Sequence, residues 1–229
     1  YPARGGGVYV SNAAEGLTLS GSAKIEDCHA ETTKGSSKSS YGGGIYTYNM
    51  GQITLAEKAS VAGCVAENGG ALYLIGPNGN NWPGNGIFNA NGGTVSGDVV
   101  LGDGKDYPCT ITGSGETEFN GSVTVAVDST IESGKFTGEV INNGSITGGT
   151  FTGTVINNGT ISSGEFTGTV INSESGTIAE GVSITALKFV VTFDNEGTKT
   201  TETIAEGGKL TAPSPAPTKD GCTLDGWYY

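Results

Sequence analysis

Three aspartates crowd one short stretch of this 229-residue chain, GDVVLGDGKD, where Asp98, Asp103 and Asp106 stand with Lys105 among them. Clustered acids can hold calcium while a neighbouring base takes a proton, which is the chemistry of a polysaccharide lyase. A pair of carboxylates at fixed separation would instead hydrolyse a glycosidic bond. A solvated turn accounts for the same residues, because a working site needs convergent groups with shifted pKa values. Other catalytic ingredients are scarce. Arg4 is the single arginine and His29 the single histidine. No G-x-S-x-G elbow occurs, and a serine triad would have to recruit His29. GGGVYV at Gly5 and GGGIYT at Gly42 lack the Lys-Ser/Thr of a phosphate loop and lead into strand-like segments, so they read as corners. No catalytic residue and no cofactor is assigned.

Cys28, Cys64, Cys109 and Cys222 lie far apart with no C-x-x-C, which argues against a ribbon-type zinc site. His29 follows Cys28 directly, and on a strand neighbours point to opposite faces, so no metal ligand is assigned. Cys28 and Cys64 hold the same place in two consecutive units. If each unit is one coil, their Cα atoms lie about 4.8 Å apart, within reach of a disulfide. Tyr9, Tyr46, Tyr48 and Tyr73 recur beside glycine-rich segments. If Val8, Ile45 and Leu72 face inward, Tyr9, Tyr46 and Tyr73 face outward as a ladder that could stack on a sugar, and these three are the candidate ligand-binding residues. Cross-strand stacking alone accounts for such a row as well.

Repeats must position these residues. Phe136, Phe151 and Phe166 recur every 15 residues, as do Val140, Val155 and Val170. A fixed short period with an apolar residue at one phase marks a solenoid, whose units bury their faces only by stacking. Alternation within FTGTV places Phe151, Gly153 and Val155 inward and Thr152 and Thr154 outward. Asn142, Asn157 and Asn172 should form an internal ladder. Asn120, Asn143 and Asn158 begin N-x-S/T triplets that read as structural rather than as glycan acceptors. The stacked pairs Thr152/Thr154 and Thr167/Thr169 resemble the threonine arrays of ice-binding solenoids, although strand propensity explains them equally.

A longer unit fills the first third. LTLSGSAKIEDCHA from Leu17 aligns on ITLAEKASVAGCVA from Ile53, and GGGVYV returns as GGGIYT and GGALYL. Each unit reads as three short strands, with the polar stretch from Glu31 to Tyr41 looped out. Around Trp82, GPNGNNWPGNG is a second loop. The segments GGGVYV, LTLSGSAKI, CHA and GGGIYT resemble the parallel β-helix of bacterial surface proteins, including polymorphic outer-membrane proteins and related adhesins. That resemblance covers Gly5 to Leu74, and Cys28 and Cys64 stand where the family often has asparagine.

From Lys188 the character changes. VTFDNEG, IAEGGKL, the proline-spaced PSPAPTKDG and GWYY resemble the Listeria–Bacteroides repeat, also called the internalin B-repeat, of Gram-positive surface proteins. The resemblance implies a small β-grasp-like spacer module, here partial, with Cys222 and Leu224 in place of the usual aromatics. The expected fold is therefore all-β. Residues 1–187 form a parallel β-helix, with long coils over 1–74, irregular coils over 75–134 and 15-residue coils over 135–187, and residues 188–229 form the partial module.

Composition supports that class. Gly supplies 41 residues and charged residues only 15%, a profile of tight turns and short strands rather than of helices or of a highly charged disordered chain. The net charge of −12 disfavours nucleic acid and anionic membrane as partners, and no apolar run is long enough to span a bilayer. The start at Tyr1, without Met or signal peptide, suggests a mature or excised piece. Both resemblances imply an extracellular protein of the bacterial cell surface. The expected role is non-catalytic, as an adhesin or a display stalk, with a host glycan or glycoprotein as the possible partner. A carbohydrate-active β-helix enzyme, a polysaccharide lyase or hydrolase, is the alternative.

Overall fold

The computed structural model describes residues 2–11, 16–32, 39–49, 52–77, 86–104, 107–195, 198–211 and 216. Among these residues there is no helix. Each turn of chain contributes strands to three parallel faces, and each strand hydrogen-bonds to its counterpart in the next coil. Along the first face the inward residues in register are Val8, Ile45, Leu72, Val99, Val123, Val140, Val155, Val170 and Leu187. The second face stacks Leu17, Ile53, Phe88, Ile111, Ile131, Ile146, Ile161 and Ile178. The third stacks Ile25, Val61, Val95, Phe119, Phe136, Phe151, Phe166 and Ile184. These three columns meet in one continuous core. The protein is a parallel β-solenoid.

The coils shorten along the chain while the core cross-section keeps its three columns. On the first face the pairing steps from Val8 to Ile45 and Ile45 to Leu72 are long, whereas Val140 pairs with Val155 and Val155 with Val170 across 15 residues each. Two ladders hold the short coils together. The rings of Phe119, Phe136, Phe151 and Phe166 stack with centres 4.8 Å apart. Stacking at the coil spacing lets each ring cover the next and leaves all four buried. Beside them Asn142 Nδ2 donates to Asn157 Oδ1 at 2.8 Å, and Asn157 Nδ2 to Asn172 Oδ1 at 2.7 Å. Asn142 and Asn157 are fully buried, so this chain of amides satisfies polar groups that burial would otherwise penalise. The triplet asparagines are also engaged, since Asn158 Nδ2 donates to Asn143 Oδ1 and Thr137 Oγ1 to Asn120 Oδ1.

One detail differs from strict alternation. FTGTV is not a single strand: Thr150–Phe151 and Val155–Asn157 lie on adjacent faces, and Gly153 occupies the corner. Phe151 and Val155 are buried as alternation requires, but Gly153 packs on backbone rather than core. A Cβ there would run into the Gly138 carbonyl, and one at Gly168 into that of Gly153. Fitting three strands into 15 residues forces a bend about every five, so alternation cannot run through the segment. In the longer coil it is the strands of the second and third faces that fuse, into Gln52–Ala62, with Glu57 turning at φ 60° and its carboxylate accepting the Gly21 N–H.

At the far end Ile184–Asn195 pairs in parallel with Glu165–Asn172, and from Lys188 it also pairs antiparallel with Thr198–Ala205. The strand runs through positions 187 and 188 without interruption. The described part of the C-terminal region is this hairpin together with residues 206–211 and 216, and residues 212–215 and 217–229 lie outside the described residues. No helix here is long and apolar enough to cross a membrane.

Candidate functional site: a tyrosine groove on the long coils

Tyr9, Tyr46 and Tyr73 follow the first three inward residues of the first face, so strand alternation turns all three away from the core. They are in register. Their rings stack in sequence, with centres 5.5 Å apart at 7° for Tyr9 and Tyr46, and 5.7 Å at 12° for Tyr46 and Tyr73. The fourth coil places Val100 opposite Tyr73, and the row ends there. The row is not uniformly open. Tyr9 is 49% exposed, Tyr73 is partly buried and Tyr46 only 2% exposed, so Tyr46 is an internal wall rather than the outward platform that alternation alone suggests.

The cover comes from the corner preceding each strand. Gly5, Gly42 and Gly69 adopt φ of 65°, 60° and 60°, a left-handed turn that glycine accommodates without penalty. This turn stacks the residues before them into a short bridge ladder of Arg4, Tyr41 and Asn68. Main-chain bonds hold it, from Gly5 N to Tyr41 O at 3.1 Å and from Tyr41 N to Ala3 O at 3.0 Å. Tyr41 then meets Tyr73 edge-on, with centres 5.0 Å apart. The Arg4 guanidinium carbon lies 5.4 Å from the centre of the Tyr46 ring.

Tyr48, two residues past Tyr46, points to the same side and packs against Tyr107, their hydroxyls 3.4 Å apart. Between them Thr47 turns inward and exchanges hydrogen bonds with the Ile75 backbone. The result is an open groove of about 570 Å³ lined by Arg4, Tyr41, Tyr46, Tyr48, Tyr73 and Ile75, along with Pro2 and Ser39. Burial pushes the Tyr46 phenol up to about 12, against an opposing pull from Arg4. Burial also raises Tyr73, with Tyr41 and Asp103 adding to it, and the hydrogen bond to Tyr107 raises Tyr48. These phenols stay neutral at physiological pH, each able to donate and accept. Rigid aromatic surface edged by such groups is the composition of a recognition pocket.

The acidic stretch is arranged differently. Asp98 and Asp103 flank opposite ends of Val99–Leu101, Asp98 directly before the strand and Asp103 beyond a turn at Gly102 with φ 81°. Lys105 and Asp106 lie outside the described residues, as does Trp82. Cys28 and Cys64 are present as thiols on adjacent coils, next to the paired positions His29 and Val65. Each thiol donates to a carbonyl two residues earlier, Glu26 O at 3.3 Å and Ala62 O at 3.2 Å. Burial raises the Cys64 thiol and pushes that of Cys109 up to about 12, so neither is an activated nucleophile. Cys222 lies outside the described residues.

Sequence reasoning found the tyrosine row but did not assign Arg4, Tyr41, Tyr48 or Tyr107 to the site. Three of these carried a signal. RGGGVYV, YGGGIYT and NGGALYL align Arg4, Tyr41 and Asn68 in one column, and alternation places Tyr48 beside Tyr46. Tyr107 follows a loop of no fixed phase and had none.

Residues 189–229 match the family model of the Listeria-Bacteroides repeat domain, a repeat of bacterial surface proteins. No curated protein and no solved structure matches the chain.

Proposed function

We propose that this chain is a non-catalytic adhesin or display module of the bacterial cell surface, secreted to the exterior, whose long coils bind carbohydrate or a host glycoprotein. The tyrosine groove carries the reading. It combines the half-buried rings of Tyr41, Tyr48 and Tyr73 with neutral phenols on a stacked backbone that loses little freedom on binding, while the exposed Tyr9 ring stacks on Tyr46 outside the groove lining. The surface-protein repeat at 189–229 supports the location. Tandem copies on one cell would supply avidity to a weak contact. Separation of Asp98 and Asp103 by a full strand favours binding over turnover at that stretch.

A glycan and glycoprotein binding screen on the intact chain tests this. Alanine at Tyr73 or Tyr48 should weaken binding by about tenfold, the loss of one stacked contact, while the circular dichroism spectrum stays unchanged. Calcium-dependent release of unsaturated oligosaccharides from a pectin-like polymer, lost in Asp103→Asn, would overturn the proposal in favour of a lyase.

A further inference from the structure

The only arginine of a chain with net charge −12 stands at the rim of its tyrosine groove. Its main chain is fixed by the bridge to Tyr41, and its guanidinium rests beside the Tyr46 ring. A cation beside a ring is a stabilising contact in its own right, but it leaves the five N–H donors of the guanidinium unused. Among the described residues no carboxylate forms an ion pair with Arg4, whereas Lys24 and Lys135 are each paired with a glutamate. Arginine donors in this planar fork match a carboxylate with two parallel charge-assisted hydrogen bonds, roughly twice as strong as those to a neutral acceptor such as a sugar hydroxyl.

The groove also has electrical direction. Arg4 enters from the first coil and pulls the phenols of Tyr46, Tyr48 and Tyr73 down, opposing the effect of their burial. Asp103, beyond the fourth strand of the first face, pushes the Tyr73 phenol up. The Arg4 side of the groove therefore favours negative charge and the Asp103 side disfavours it, Arg4 being on the first coil and Asp103 on the fourth, three coil spacings or roughly 14 Å along the stack.

Resting on the proposed carbohydrate-binding role, we infer that the groove selects an acidic saccharide, with a sugar carboxylate held by Arg4 and the apolar ring faces packed on Tyr48 and Tyr73. A sialylated host glycan and a plant or microbial uronate share this chemistry. With a sialylated glycan the neutral remainder extends from Arg4 toward Tyr73, whereas a uronate oligomer brings further carboxylates toward the Asp103 side.

Calorimetric titration of the intact chain with matched pairs tests the inference: sialyllactose against lactose, and an oligogalacturonate against the corresponding neutral galactose oligomer. The acidic member of at least one pair should bind about tenfold or more tightly than its neutral partner, the size of a charge-assisted hydrogen-bonded contact, and which pair responds identifies the source. Arg4→Met, which keeps an apolar chain over Tyr46, should remove that preference, and Asp103→Asn should increase it. Equal affinity for acidic and neutral members, with Arg4→Met unchanged, would overturn acid selection while leaving the groove a carbohydrate site. Absence of binding to all four saccharides would overturn both. Circular dichroism of each variant separates lost recognition from lost fold.

Discussion

The first three coils and the last three are built on the same three inward columns, yet they use their residues differently. Between Val140 and Val170 every 15-residue coil is consumed by strands and corners, and its side chains go into the phenylalanine and asparagine ladders. Between Val8 and Leu72 the coils are roughly twice as long with no additional column in the core, and the surplus lies outside the prism. That surplus contains Tyr41 and Ser39, which line the groove. Short coils thus make a rod and long coils make a surface, because a coil reduced to three strands has nothing left with which to wall a pocket.

Substitutions in the two regions should separate stability from binding. The largest effect is expected in the rod. Phe151→Ala removes a ring stacked on both sides and should cost about 3–5 kcal/mol in denaturant unfolding. Tyr9→Ala, by contrast, removes a ring that is half exposed and stacked on one side, and should cost well under half as much. Equal losses would break the comparison.

Oxidation of Cys28 and Cys64 to a disulfide should stabilise the long coils by about 2–4 kcal/mol, through closure of the intervening loop in the unfolded chain. A non-reduced digest of oxidised protein should contain the Cys28–Cys64 peptide. Linkage of Cys28 to buried Cys109 would contradict the register of the first two coils.

Asn157→Ala breaks the amide ladder in its middle and leaves the Asn142 donor and the Asn172 acceptor without their partner. About 1–3 kcal/mol should be lost, with hydrogen exchange rising first over 140–178 rather than over the groove.

Where the pattern is strictly periodic, the sequence alone is enough. The columns through Phe136, Phe151 and Phe166 and through Asn142, Asn157 and Asn172 could be read because identical side chains recur at one phase. Phe119 belongs to the same stack, but it pairs with Phe136 across 17 residues rather than 15, and the altered step hid it. Gly153 looked like a strand position because alternation is blind to a corner. The burial of Tyr46 was not legible for a related reason. Alternation states which way a side chain leaves the strand, whereas its cover arrives from Arg4 and Tyr41, on a corner ladder set by positive-φ glycines. The groove was therefore half visible, as a row of rings without walls.

The smallest expected effect is in the groove itself. Tyr73→Ala, at a partly buried ring, should cost less in unfolding than Phe151→Ala and reduce saccharide binding by about tenfold, or about 1.4 kcal/mol.

The division between binding coils and rod is tested most directly by hydrogen exchange on the intact chain, with and without the tightest-binding saccharide from the screen. The account predicts that added protection falls on 4–11, 41–48 and 72–75, while exchange over 135–178 is unchanged. Protection centred on the 15-residue coils, or no change anywhere at saturating saccharide, would contradict it.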